Sequence, residues 1–298
     1  MNKRTVIMSC ALAALVMAAL VWNALWPEPV EHTGFNVMGS MLQETIYCRK
    51  PAKLKALSAI FVRMKVLEQS IGDDQRIIDL GEKISEQSGS AFSLRLGALV
   101  KLWDINGDPR VPTQAAIDEA LRKDDLDFGA IGKGAACDAA LEQLQKEKGN
   151  VTGAVINLGG NILTYGQKPW GKPFQIALRD PKGGPNDTIG MFTLRGTHFI
   201  STSGSYEKYF EQDGKRYHHI FDPATGYPAE TGGLISVTVI SENGALGDAL
   251  STACFVLGYA KSLALLESYG CDAIFIYEDG NFRMVGGVDQ YFKYFYKV

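Results

Sequence analysis

The sequence has little of what binds nucleic acid. It contains no basic run, and its 30 lysines and arginines face 33 acids, for a formal net charge of -3. A grip on a phosphate backbone needs a cationic stripe, so a nucleic-acid partner is excluded. Cysteine is also scarce: there are five, and no Cys-x-x-Cys pair. That leaves neither a zinc-ribbon spacing nor a disulfide framework. Export would permit a disulfide, but the scatter of Cys48, Cys137, Cys254 and Cys271 favours buried or free thiols. There is no internal repeat and no low-complexity tract, so neither a repeat array nor a disordered tail is expected. What is present is a chain of 298 residues, 46% hydrophobic, with 32 glycines. This suffices for a sizeable core and implies many tight turns or close backbone approaches.

The first apolar run stands out. From Thr5 to Trp26 no side chain is charged and Asn23 is the one strongly polar residue. About 20 residues cross a bilayer core, so the segment can span. Lys3 and Arg4 precede it and Glu28 and Glu31 follow, which puts the N-terminus in the cytoplasm and the rest outside. Trp22 and Trp26 suit the outer interface. A cleaved secretory signal needs a small-x-small triplet after the run, yet Ala11-Leu12-Ala13 lies inside it. Cys10 comes too early for a lipoprotein signal. The expectation is an uncleaved signal anchor with a linker, residues 1–33, before a domain over residues 34–298.

In that domain Pro27 to Thr33 reads as linker and Phe35 to Ser40 as a first strand. The stripe Leu54, Leu57, Ile60, Phe61, Met64, Leu67 predicts a helix to Ser70. Further helices are expected at Asp73–Gln87, at Leu94–Trp103, after a Thr113 cap, and at Ile131–Lys148. Strands follow at Gly153–Leu158, Ile162–Tyr165, Phe174–Leu178, Thr188–Leu194, His198–Ile200 and Leu234–Ile240. Two more helices, Leu246–Leu257 and Ala260–Tyr269, precede strands Ala273–Tyr277 and Phe282–Val285, joined by the hairpin signal Glu278-Asp279-Gly280-Asn281. The fold class is α+β, mixed sheets with packed helices behind an N-terminal membrane anchor.

Several motifs carry chemistry. Asp248, Ser251 and Thr252 fall at i, i+3 and i+4 and so share a helix face. Their hard oxygens suit magnesium, which also takes substrate phosphate. The plainer reading is an Asp that complements the helix dipole, with hydroxyls bonded back to the helix. Lys133, between Gly132 and Gly134 at a helix start, can meet a pyrophosphate or can be an exposed lysine beside a turn. The spacing is not that of a Walker A loop. Asp127 is either a helix cap or a nucleotide contact. His218 and His219 precede the turn Asp222-Pro223-Ala224-Thr225-Gly226. One of them can accept a proton or merely brace the turn; as an unperturbed base it would titrate near 6.5. Ser201-Thr202-Ser203-Gly204 is either a phosphate contact or a polar strand end, and Asn157 to Asn161 reads as a turn that shapes a pocket.

Taken together, Asp127 to Gly134, Asn157 to Asn161, Ser201 to Tyr206, Asp213 to Gly226 and Gly247 to Thr252 resemble, in order and spacing, the ApbE-type FAD:protein FMN transferases. The resemblance implies Mg2+ held by Asp248, Thr252 and the Ala130 carbonyl; Ser251, on the same helix face, is expected as a further metal ligand, and Asp248 is expected to be catalytic as well. It implies FAD contacts at Met38, Ala91, Phe92, Ser93, Asp127, Lys133 and Phe221. His219, rather than His218, matches the family's histidine, as proton acceptor or substrate-orienting group. The implied reaction moves FMN from FAD to a Thr or Ser hydroxyl of another protein and releases AMP. The acceptors would be subunits of membrane redox complexes, including ion-pumping NADH:quinone and ferredoxin-linked types. Ser93 stands where the family usually has an acid, and residues 41–71 and 121–127 are shorter than in relatives. Two other readings share the metal site: an FAD pyrophosphatase, and a non-catalytic membrane-tethered flavin-binding or assembly protein.

Overall fold

A computed structural model describes residues 12–18, 26–50, 54–147, 149–184 and 186–295. Most of Thr5–Trp26 lies outside them. Among the described residues one helix, Gly244–Ser268, is long and apolar enough to cross a membrane, and it is packed in the core.

The chain begins with a hairpin of β1 (Glu28–Val37) and β2 (Ser40–Cys48). The expected linker and first strand are therefore redrawn. Glu28 already pairs with Cys48, and the strand expected at 35–40 is interrupted by a two-residue turn at Met38-Gly39. Both turn residues have positive φ, 48° and 65°, the twist that a tight hairpin needs. Methionine in the first position is not a recognisable turn signal.

Next come α1 (Ala56–Ser70), α2 (Gln75–Gln87), α3 (Gly97–Trp103), α4 (Gln114–Leu121) and α5 (Gly132–Lys146). Ile60, Met64 and Leu67 of α1 are buried, as the stripe predicts. Asp74 caps α2 and Thr113 caps α4, each accepting a backbone N–H. Then follow β3 (Val151–Leu158), β4 (Asn161–Gly166), β5 (Phe174–Arg179), β6 (Thr188–Leu194) and β7 (His198–Gly204). A hairpin closed by Asp213-Gly214, both at positive φ, the pair a two-residue turn favours, joins β8 (Tyr209–Gln212) to β9 (Lys215–His218) and leads to β10 (Leu234–Ser241). The two expected C-terminal helices form one run, α6 (Gly244–Ser268), broken where Gly258 takes φ 69° and ψ 172°. Strands β11 (Asp272–Tyr277), β12 (Phe282–Val285) and an unforeseen β13 (Phe292–Tyr294) finish the chain.

An eight-stranded sheet runs β1-β2-β3-β4-β7-β10-β11-β12, and a small sheet β13-β6-β5 stands apart from it. Helices α1, α2, α5 and α6 bury one face of the large sheet in the main core. The small sheet covers the other face, where Phe174, Phe192 and Val288 meet Ile200 and Ile274. A third cluster centres on Trp103, which packs on Phe210, Tyr217, Phe221 and Tyr227. All neighbours in the large sheet are antiparallel. The turns Met38-Gly39 and Gly159-Gly160 therefore lie at one end, and the termini Glu28, Cys48, Val151 and Gly166 at the other.

Candidate active site

The site is set by a crossing of α5 and α6 at two glycines. A Cβ on Gly134 would stand 2.0 Å from the Gly244 carbonyl oxygen, and one on Gly244 would stand 2.2 Å from that of Gly134. Only glycine permits this backbone contact. The approach brings the Gly134 N–H, a first-turn donor without a helical partner, to Asp248 Oδ2 at 2.9 Å. Asn161 Nδ2 donates to the other oxygen, Oδ1, at 3.1 Å. Lys133 Nζ lies 3.9 Å from Oδ1 and donates to the Gly129 carbonyl at 3.2 Å. Asp248 is 2% exposed, so it is a buried carboxylate held by neutral donors with one ammonium at the edge of reach. Because the Gly134 N–H turns to Asp248, no backbone N–H among the described residues bonds the Ala130 carbonyl.

The hydroxyls pack beside it. Ser203 Oγ on β7 lies 2.8 Å from Ser251 Oγ and 3.1 Å from Thr252 Oγ1. Ser251, fully buried, also donates to the Asp248 carbonyl at 2.8 Å. Its hydroxyl is thus engaged by the helix, while Thr252 is only half-buried. Thr202 is bonded across the sheet to Thr238 at 2.9 Å, and Ser201 is buried under Gly247. Of the hydroxyl-rich strand end, Ser203 is the member whose hydroxyl meets those of Ser251 and Thr252.

The two histidines are distinguished by their partners. His218 Nδ1 accepts the Ile220 N–H and its Nε2 faces the Ala229 carbonyl, both at 3.2 Å. Nε2 therefore carries the proton, and both nitrogens are spent on the turn. The ring stands edge-on to Phe255. His219 Nδ1 faces the Lys208 carbonyl at 3.2 Å, which fixes the proton on Nδ1 and leaves the Nε2 lone pair unbonded among the described residues. Burial pushes both imidazoles down to about 4. For His219 the charges of Lys208 and Lys133 add to the effect, so the ring lies within electrostatic reach of Lys133. The ordinary value near 6.5 does not hold for either.

Other expected contacts are distributed as follows. Met38, half-buried, presents its sulfur to Gly132, and Ser40 closes on Gly159 beside Lys133. The two hairpin turns and the start of α5 thus meet. Asp127 is not a helix cap: its Oδ1 accepts the Gly129 N–H at 2.9 Å and shapes the turn before α5. Phe92 is buried in the main core and Ala91 is buried beside it in sequence, so their backbone is what they offer a ligand. Ser93 Oγ accepts the Arg95 N–H at 3.0 Å. Phe221, 5% exposed, packs on Trp103, so its side chain is used by the aromatic cluster. That cluster holds the Asp222–Gly226 turn, since Trp103 Nε1 donates to the Gly226 carbonyl at 3.0 Å.

Asp138 was not foreseen. Its carboxylate accepts the N–H groups of Gly244 and Ala245 at 2.7 and 2.8 Å, and Asn243 caps the same helix through Leu246. Burial raises Asp138 to about 6 against the pull of those two bonds. Nothing in the sequence near 138 signals a cap for a helix a hundred residues later. All four cysteines among the described residues are buried free thiols.

The ApbE family model matches residues 70–275. An FAD:protein FMN transferase of Treponema pallidum is 33% identical over 85% of this chain and 86% of its own length. One of Klebsiella pneumoniae is 38% identical over 67% of this chain and 68% of its own. Among solved structures, an ApbE protein from Thermotoga maritima superposes with a TM-score of 0.78 at 27% identity, over 89% of this chain and 99% of that one. The apo flavinyl transferase ApbE of Pseudomonas stutzeri gives 0.71 at 29% identity, over 87% and 94%.

Proposed function

The chain belongs to the ApbE family, and from that premise we propose that it transfers FMN from FAD to a hydroxyl of an acceptor protein, with AMP as the leaving group. The observation that carries the reading is the buried Asp248, held by Gly134 and Asn161 beside Lys133. A carboxylate fixed this way is preorganised and does not drift to solvent.

A magnesium ion fits these residues. Asp248, the Thr252 hydroxyl and the Ala130 carbonyl, freed by the turn of the Gly134 N–H, are hard oxygens around one carboxylate, the set magnesium uses when substrate phosphate completes its shell. When bound, the ion would offset pyrophosphate charge. Ser251 supports this set rather than joining it, since its hydroxyl is fully buried and bonded to Ser203 and to the Asp248 carbonyl. Lys133 adds a point charge for the phosphates. His219, neutral at pH 7 with its Nε2 lone pair unbonded, accepts the proton of the attacking hydroxyl. Met38, the backbone of Ala91 to Ser93, and Asp127 border the nucleotide. Phe221 acts one step back, by fixing the turn.

In this reading residues 5–26 anchor the chain in a bacterial inner membrane with the domain on the periplasmic side. The acceptors are then subunits of membrane redox complexes. The test is to incubate the chain with FAD, magnesium and an acceptor domain, and follow flavin by mass. Covalent FMN on the acceptor with release of AMP is expected. Free FMN alone would make it a pyrophosphatase, and unchanged FAD a binding protein.

A further inference from the structure

The end of the large sheet opposite the site has a chemistry that flavin transfer does not use. Trp26 stacks on Trp170 with ring centroids 3.8 Å apart. Trp170 lies in the loop from β4 to β5 and is 64% exposed. It takes φ 65°, a left-handed conformation uncommon for a bulky residue and worth a functional question. Around this pair the same sheet end presents Arg49 and Lys50 after β2, Lys172 after the loop, and Arg195 before β7, all exposed. Arg195 donates to the Gly171 carbonyl, so the loop and the β6–β7 turn are one surface. Arg49 and Lys50 are tied through Asn150 to the start of β3. Two acids, Glu28 and Glu147, act on Cys48 beside these four exposed cations, and Glu242 follows β10 further along the same sheet end.

Exposed tryptophan flanked by lysine and arginine is the composition of a bilayer interface: the indole sits at headgroup level, and the cations meet anionic lipid. Trp26 is also the residue that closes the apolar run of the sequence. We propose that this rim, Trp26 and Trp170 with Arg49, Lys50, Lys172 and Arg195, docks on an anionic bilayer surface and sets the orientation of the domain. The proposal rests on the reading of residues 5–26 as a membrane anchor. Its consequence is geometric. The eight residues of β3 separate the rim from the Gly159-Gly160 turn by about 26 Å at the usual rise of a strand. The site therefore faces away from the membrane, one strand length above it, open to the extramembrane part of an acceptor.

The experiment uses the full chain reconstituted in vesicles of equal parts phosphatidylglycerol and brominated phosphatidylcholine. Flotation reports insertion. Trp170 emission is taken as the difference between wild-type and Trp170→Phe chains, and hydrogen exchange of the 168–172 backbone is followed on the wild type alone. The expected result is quenching of the Trp170 emission by roughly half or more, as for an indole at headgroup depth, with slowed exchange. Both effects should be largely reversed in Lys172→Glu/Arg195→Glu. A chain that floats with the vesicles while Trp170 emission and exchange stay unchanged overturns the docking and leaves the anchor standing. A chain that does not float overturns both.

Discussion

At one end of the eight-stranded sheet, glycine-bearing turns, a buried carboxylate and interlocked hydroxyls converge on the start of α5. At the other end, exposed Trp170, half-buried Trp26 and exposed cations lie around the termini of the same strands. The first end is assembled from residues far apart in sequence and has no room for an added side chain at Gly134, Gly159 or Gly244. The second is also drawn from segments far apart in sequence, residues 26, 49–50, 170–172 and 195, but keeps its charges in water. The residues proposed for chemistry lie where the backbone is over-determined, and the cations proposed for docking lie exposed to solvent. Substitutions at the two ends should therefore fail differently.

The sharpest contrast is expected at Asp248. Asp248→Asn can still accept the Gly134 N–H but carries no charge. Transfer should fall by roughly a thousand-fold, the upper scale for loss of one principal electrostatic group, while melting temperature changes little. Asp248→Ala should lose the same activity and in addition about 1–3 kcal/mol of stability, because Gly134 and Asn161 are left with buried, unpaired donors. A variant with near-normal turnover at ordinary magnesium concentrations would break the assignment.

The next effect separates the adjacent histidines. His219→Gln should slow single-turnover transfer by roughly a hundred-fold, the scale of general-base loss, with FAD binding unchanged. His218→Gln should leave the rate nearly intact and lower the melting temperature, because both of its ring nitrogens are structural. Equal behaviour of the two would make His219 structural as well. The pH dependence follows the depressed values. In kcat/KM, which reports the free enzyme, the acid limb should lie near pH 4 rather than 6.5. Stability has the same sign. Below 6.5 the unfolded chain takes up protons that folded His218 refuses, so stability is lost as pH falls from 6.5 towards 4. Asp138, raised to about 6, contributes the opposite sign over the same window, so the test is the difference between wild type and His218→Gln, and a difference independent of pH would contradict it.

A smaller effect is expected at Asp138, which holds the start of α6 without touching the reaction. Asp138→Asn should cost about 1 kcal/mol, the scale of a helix cap, and a few degrees of melting temperature, with a modest loss of rate as Asp248 shifts. Unaltered thermal unfolding would show that Asn243 alone suffices as cap. The smallest effect belongs to the far end of the sheet. Lys172→Glu should leave transfer to a soluble acceptor domain within two-fold of wild type. A larger fall in that assay would mean that the two ends are not independent.

The element types were legible because each reports itself locally. Thr113 caps α4 at the expected place, the α1 stripe is buried, and the interval from Asp272 to Val285 pairs as its hairpin signal implies. The Met38-Gly39 turn was not legible, since its geometry is common in Asn-Gly but rare in Met-Gly. The β8–β9 hairpin was legible only at its Asp213-Gly214 turn, because its strands are short and largely exposed and no apolar alternation marks them. Within the site, the i, i+4 spacing of Asp248 and Thr252 and the glycines around Lys133 were visible as motifs. Their meeting was not. It depends on a backbone contact between Gly134 and Gly244, on Asn161 reaching Asp248, and on Asp138 capping a helix 106 residues away. The sequence by itself determined the chemistry on offer and the family, because motif order and local periodicity are properties of the chain. Only the tertiary structure decided which histidine has a nitrogen to spare, which serine is spent on packing, and where Phe221 points. Those depend on burial and on partners that lie close in space but far apart along the chain.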